Sequence, residues 1–171
     1  MSGPPMTGPA LSGRVEVLVR ELGLAPHPEG GFYKELFRSR RMVRTDDGRS
    51  ERWAATTIFY LLGATDVNKW HRVASDEIWH WYEGAPLTLH LLDGPVTRAR
   101  SETLGPVGEG SAPVRVVPAG CWQAVRCTGE YTLAGCTVAP GFEFSDFRLL
   151  RDLPEMAARL TQEFPDLLPH L

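Results

Sequence analysis

Apolar residues recur at helical spacing in two stretches of the chain, one near each end. Near the start, Val15, Leu18, Val19 and Leu22 fall three and four residues apart and share one helical face. Ser12 is placed to cap that helix and Gly23 to end it. Near the end, Leu153, Met156, Ala157, Leu160 and Phe164 form a second stripe. This helix is expected to start at Asp152, with Pro154 in its first turn and Glu155 completing the cap. Between the two stripes the period shortens to two. Runs rich in Val, Ile, Thr, Phe, Tyr and Trp alternate with turn segments such as TDDG, EGAP, DGP and LGPVGEGSAP. The runs predict strands near Phe32–Val43, Arg52–Leu62, Asn68–Val73, Glu77–Tyr82 and Leu87–Leu92. Further strands are predicted near Val96–Glu102, Val114–Val117, Trp122–Cys127, Tyr131–Val138 and Phe144–Leu149. The pattern is that of a mostly β sandwich or barrel with a short helix at each end.

Composition narrows the picture. With 171 residues and 43% of them apolar, the chain suits a single domain with a real core. The expected organisation is a loose tail over residues 1–10 and one domain over 11–171, its β core running from about 30 to 150. The formal charge of −3 lacks the basic footprint of a nucleic-acid binder. The longest apolar run, Ile58 to Leu62, is too short to span a bilayer, so no membrane partner is expected. The first thirteen residues hold no Lys or Arg and no apolar run, which argues against a secretory signal and for a cytoplasmic location. In that setting Cys121, Cys127 and Cys136 are expected to be reduced thiols packed as small apolar residues.

The densest chemistry lies in the segment WHRVASDEIWHWYEG from Trp70 to Gly84. Strand alternation puts Glu77, Trp79 and Trp81 on one face and Ile78, His80 and Tyr82 on the other. One carboxylate among tryptophans suits the wall of a pocket with a single polar anchor. His71 ends the preceding strand, and a hairpin is expected to bring it opposite Glu77. A carboxylate beside an imidazole orients the ring for general-base work or for metal ligation, and equally describes a buried hydrogen-bonded pair.

His71, Glu77 and Gly84 resemble the first motif of the cupin superfamily, and Pro118-x-Gly120 followed by Gln123 resembles its second. More closely, the chain resembles the cupin-5-like branch, a domain of unknown function. The matching blocks are HPEGGFYKELFRS from His27, TTIFYLL from Thr56, WHRVASDEIWHWYEG from Trp70, VVPAGCWQAV from Val116 and GCTVAPGFEFSDF from Gly135. The resemblance implies a double-stranded β-helix, the cupin jelly-roll barrel, with a central ligand cavity and a homodimer. Function does not follow from the fold alone, because cupins host many chemistries.

Metal-binding cupins use three His and one Glu. At the corresponding positions this chain keeps His71 and Glu77 but carries Val73 and Gln123, so no tight metal is expected. A weak divalent ion at His71, Glu77 and Gln123 stays as the alternative. The segment GFYKELF from Gly31 also resembles the first strand of the sugar-nucleotide 3,5-epimerases, which are metal-free cupins. By that resemblance His71 is the candidate base, Tyr33 or Tyr131 the acid, and Glu77 or Asp146 the group orienting the imidazole. The chain's two lysines, Lys34 and Lys69, have no assigned place in that scheme. Glu35, Trp79, Trp81 and Gln123 are expected to line the cavity, with Glu143 and Asp146 from the last block. Pro28 and the paired glycines read as a turn from which Glu29 reaches the mouth. His90 is expected at the surface or in a dimer contact, and His170 in solvent.

The expected function is therefore binding of a small polar or carbohydrate-like molecule, with metal-independent isomerase or epimerase chemistry. A non-catalytic binding protein and a metal-dependent oxygenase or isomerase are the alternatives.

Overall fold

A computed structural model describes residues 13–171. The expected tail over residues 1–10 and the Ser12 cap lie outside them. Helix α1 (Gly13–Leu22) is followed by strands β1 (Ala25–Pro26), β2 (Phe32–Arg38), β3 (Met42–Val43), β4 (Arg52–Trp53) and β5 (Thr56–Gly63). Next come β6 (His71–Val73), β7 (Asp76–Gly84), β8 (Leu87–Leu92), β9 (Ala99–Leu104) and β10 (Ser111–Ala112). The β region closes with β11 (Val114–Val117), β12 (Trp122–Cys127), β13 (Tyr131–Ala139) and β14 (Phe147–Leu149). Helix α2 (Pro154–Glu163) and a 3₁₀ segment (Pro165–His170) complete the chain.

Two six-stranded sheets carry the fold. The first has the order β1-β2-β5-β13-β7-β11 and the second β10-β9-β8-β12-β6-β14, with β3 and β4 as a separate pair. This is the expected mostly β, jelly-roll architecture. Consecutive strands β5, β6, β7 and β8 switch from sheet to sheet, so neighbours in sequence face each other across the core.

Alternation along β8 sends Leu87, Leu89 and Leu91 inward, all fully buried. They meet Tyr60, Leu62, Trp79, Val117 and Val125 in the core between the sheets. Each such side chain contributes roughly 1.5–3 kcal/mol on removal from water. The outer faces are covered by the helices. Val15 and Leu18 of α1 lie on Leu61 and Leu133 of the first sheet. Leu160 of α2 packs with Trp70, Leu92 and Trp122 against the second.

Several expectations need correction. Helix α2 has Pro154 in its first turn as anticipated, but its N-cap is Leu153, with no side-chain cap bond. Asp152 belongs instead to a preceding 3₁₀ turn (Leu150–Asp152). The predicted Phe32–Val43 strand is divided: β2, with a bulge between Glu35 and Phe37, ends at Arg38, and Met42–Val43 pair separately with β4. Residues 144–146 form a 3₁₀ turn ahead of β14.

His170 is 4% exposed rather than solvated. The 3₁₀ segment folds back onto Asn68–Trp70. The Trp70 amide donates to the His170 carbonyl at 2.8 Å, and the Trp70 indole to the Leu167 carbonyl at 3.2 Å. His170 Nδ1 lies 2.9 Å from the Asn68 carbonyl oxygen and so donates to it. His90 is covered by the same segment, its ring 5.2 Å from that of His170. It is half-buried, not a surface residue.

Candidate functional site

Where the hydrocarbon core ends, the space between the sheets opens into a cavity of about 570 Å³. That is within the range of small-molecule sites. Its walls come from the HPEGG turn, β2, β5, β6, β7, β13 and β14. The turn is held by the His27 amide on the Gly31 carbonyl at 2.9 Å. Gly31 has φ +74°, and a Cβ there would strike the Leu61 carbonyl, so glycine is required for the chain to pass. The turn thereby places His27 and Glu29 in the wall.

His71 and Glu77 both line the cavity and both are buried. They do not meet as hairpin neighbours. β6 pairs with β12 and β14 in the second sheet, whereas β7 pairs with β11 and β13 in the first. The imidazole and the carboxylate therefore face the cavity from opposite sheets. His71 Nδ1 lies 2.8 Å from the Lys69 carbonyl oxygen, which fixes Nδ1 as the protonated nitrogen. In the neutral ring the lone pair then belongs to Nε2. Burial pushes the Glu77 carboxyl up from its ordinary value, while His71 and Gln123 pull it down.

Around this pair runs a polar wall. Glu29 Oε2 stands 3.5 Å from His71 Nδ1 and accepts from Asn68 Nδ2 at 2.9 Å. Asn68 Nδ2 also reaches the Tyr60 hydroxyl at 3.1 Å, and that hydroxyl donates to the Gly30 carbonyl. Glu29 Oε1 and Asn68 Oδ1 are buried with no hydrogen-bond partner among the described residues. His27 Nδ1 accepts from the Glu29 amide at 3.1 Å, and its ring sits edge-on to Tyr33 and Tyr60. Burial first, and His71 second, lower the His27 pKa to about 4. Cys136 completes the wall. Burial and then Glu77 push its thiol well up, so it is a neutral thiol.

Of the residues expected to line the cavity, Tyr33, Glu35 and Trp79 do so. Trp81 shares the inner face but packs into the hydrocarbon core, at the far end from the opening. Gln123 sits behind the wall, 1% exposed, between the Trp79 indole and Glu77. Tyr131 lies outside, its hydroxyl donating to Glu83, which also pairs with Arg14 of α1. Glu143 pairs with Arg38 at 3.2 Å. Asp146 is gripped by Arg52 and Arg49, and the Arg52 guanidinium foremost holds its carboxyl below the ordinary value. It does not orient His71; the Lys69 carbonyl does. All three cysteines are free.

Tyr60, Asn68 and His27 are the wall residues that sequence reasoning missed. Tyr60 alternates with Ile58 and Leu62 and so was traceable to the inner face, though it reads as core. Asn68 was expected to open a strand that in the structure begins only at His71, and it lies in the loop before it.

The three-His, one-Glu pattern of metal-binding cupins does not fit here. Val73 is on the inner face of β6 but offers no donor, and the Gln123 oxygen already accepts from Trp79 at 2.9 Å. Among the described residues no group of three or more His, Cys, Asp or Glu is arranged to hold a metal. Nor is any helix there long and apolar enough to cross a membrane.

The fold has known counterparts. A hypothetical protein from Leishmania major is 30% identical, covering 88% of this chain and 92% of its own, with a TM-score of 0.77. A protein of Shewanella oneidensis is 28% identical, covering 91% of this chain and 95% of its own, also at 0.77. Oxalate decarboxylase from Bacillus subtilis shares the fold at 14% identity and a TM-score of 0.57, with 85% of this chain covered but 36% of its own. No curated protein matches the sequence. The family model described as Cupin superfamily (DUF985) matches residues 16–150, the helix and the whole two-sheet region. The chain thus belongs to the DUF985 family of the cupin superfamily.

Proposed function

We propose that the chain binds a small polar, carbohydrate-like molecule in this cavity and acts on it as a metal-independent isomerase or epimerase. The reading follows the resemblance of its GFYKELF segment to the sugar-nucleotide 3,5-epimerases. The observation that carries it is the His71 ring, its Nδ1 proton tied to the Lys69 carbonyl and Nε2 left free, across the cavity from a buried Glu77. In this reading Nε2 removes a proton from a carbon next to a carbonyl. Glu77, whose raised pKa favours the protonated acid, gives its proton to the carbonyl oxygen. Return of a proton to the carbon restores the carbonyl, and Glu77 takes its own proton back. Tyr33 is the second candidate donor on the same wall. The buried acceptors Glu29 Oε1 and Asn68 Oδ1 favour a ligand rich in hydroxyl donors.

The test is exchange of a carbon-bound proton of a co-purified ligand with deuterated solvent. Native mass spectrometry of untagged protein identifies that ligand first. Exchange that is lost in His71→Ala supports the isomerase. Tight binding with no exchange leaves the second reading, a binding protein, which the fixing of Glu77 by Gln123 favours.

We also propose that the chain forms a homodimer through the open part of the first sheet. Register pairs align Phe37, Thr57, Thr137, Ile78 and Val116 in one row across five strands. The row carries no charge, and Phe37 and Val116 are half exposed. Light scattering should give twice the chain mass, falling to the monomer in Val116→Glu.

A further inference from the structure

The ladder between β6 and β14 pairs Val73 with Phe147 and His71 with Leu149. It continues through the Leu150 amide on the Trp70 carbonyl at 2.9 Å. The next inward positions are Lys69 and Arg151, and both line the cavity. Two cations thus stand at adjacent ends of one ladder, next to His71. Neither is firmly held. Lys69 Nζ reaches only the Pro169 carbonyl at 3.4 Å, and Arg151 Nε is 4.0 Å from Asp152 with both side chains more than half exposed. The third cation of the lining, Arg38, is by contrast committed to Glu35 and Glu143. The cavity is therefore polarised. Carboxyl groups of Glu29 and Glu77 lie among its buried wall residues, while Lys69 and Arg151 hold opposed positions where the β6–β14 ladder runs out. Phe147 stacks on His71 with ring centroids 5.4 Å apart, and Phe142 lies 6.2 Å from Phe147, so apolar rings separate this end from the acidic wall.

We propose that Lys69 and Arg151 form an oxyanion subsite, and that the ligand is a hydroxylated small molecule bearing a phosphate or carboxylate. The anionic group sits at the lip, where an Arg fork and a Lys ammonium converge on its oxygens. The hydroxylated part then lies toward His71 and Glu77. That second half rests on the function proposed above; the subsite itself does not.

Two titrations of the full chain separate the halves. In the first, inorganic phosphate is added at constant ionic strength while amide shifts of residues 69–71 and 149–152 are followed. A saturable shift, weakened about tenfold or more in the Lys69→Gln/Arg151→Gln variant, is expected. No saturation, equal shifts with chloride, or an unchanged response in the variant overturns the subsite. In the second, D-glucose, glucose 6-phosphate and gluconate are compared. The anionic sugars should bind about tenfold or more tightly than glucose, and the advantage should vanish in the variant. The better of the two identifies the oxyanion. Equal binding of all three sinks the subsite while sparing the sugar reading. Phosphate binding with no response to any sugar does the reverse. Both replaced side chains reach solvent, so an unchanged melting temperature verifies that the variant is folded.

Discussion

Gln123 stands behind Glu77, its amide nitrogen donating to Glu77 Oε2 while its oxygen accepts from the Trp79 indole. One neutral side chain thus fixes both an acid of the cavity and an aromatic of its wall. Gln123→Leu removes both bonds, taking the amide donor from a buried carboxyl and the acceptor from a buried indole N–H. Each such group costs roughly 1–3 kcal/mol. Urea denaturation should show a loss of about 2–6 kcal/mol. A loss under 1 kcal/mol would mean that the two bonds matter little.

Glu77 carries the opposite expectation. Its folded-state pKa is raised, chiefly by burial, so the folded chain holds a proton that the unfolded chain releases. Stability is therefore lost as pH rises from about 4.5 through the folded value. Glu77→Gln removes that ionisation and can still accept from Gln123. The variant should be at least as stable as the parent at pH 7 and should bind ligand at least tenfold more weakly. Global unfolding would show the carboxyl to be structural.

His27 titrates with the reverse sign. Its pKa falls from 6.5 to about 4, so between these values the unfolded chain binds a proton that the folded chain refuses. Its share of the stability is complete above pH 6.5, declines as the pH falls toward 4, and levels off below. His27→Gln should show a shallower fall in melting temperature between pH 6.5 and 4 than the parent. Parallel curves would place the titration elsewhere.

Val73 shows how few changes separate this cavity from a metal centre. It shares the inner face of β6 with His71, facing the same space as Glu77. Val73→His supplies a third donor, enough for a first-row ion. Elemental analysis of untagged protein incubated with zinc should give about one ion per chain for the variant and clearly less for the parent. Equal uptake would count against this account of the donor set.

Much of the architecture could be read from periodicity. Leu87–Leu92, Val114–Val117 and Trp122–Cys127 match their predicted spans residue for residue, because short apolar-rich runs flanked by turn residues mark them. Alternation also put Glu77 and Trp79 on the inner face. It names a face, however, and not a sheet. That is why His71 and Glu77 were expected as hairpin partners and are found on opposite walls. Trp81 fails for a related reason: sharing a face says nothing about how far along the barrel the cavity extends. Asn68 was expected only as the start of a strand and His170 as a solvated residue, since their burial is created by contacts between segments far apart in the chain.

That contact has a consequence for how the protein comes to be made. The stretch that presents Asn68, the Lys69 carbonyl and His71 is braced by backbone groups of residues 167–170. During synthesis on the ribosome, the two sheets can assemble once β14 has emerged, but this brace arrives later still. The finished cavity wall therefore forms only after the sheets, once residues 167–170 have emerged.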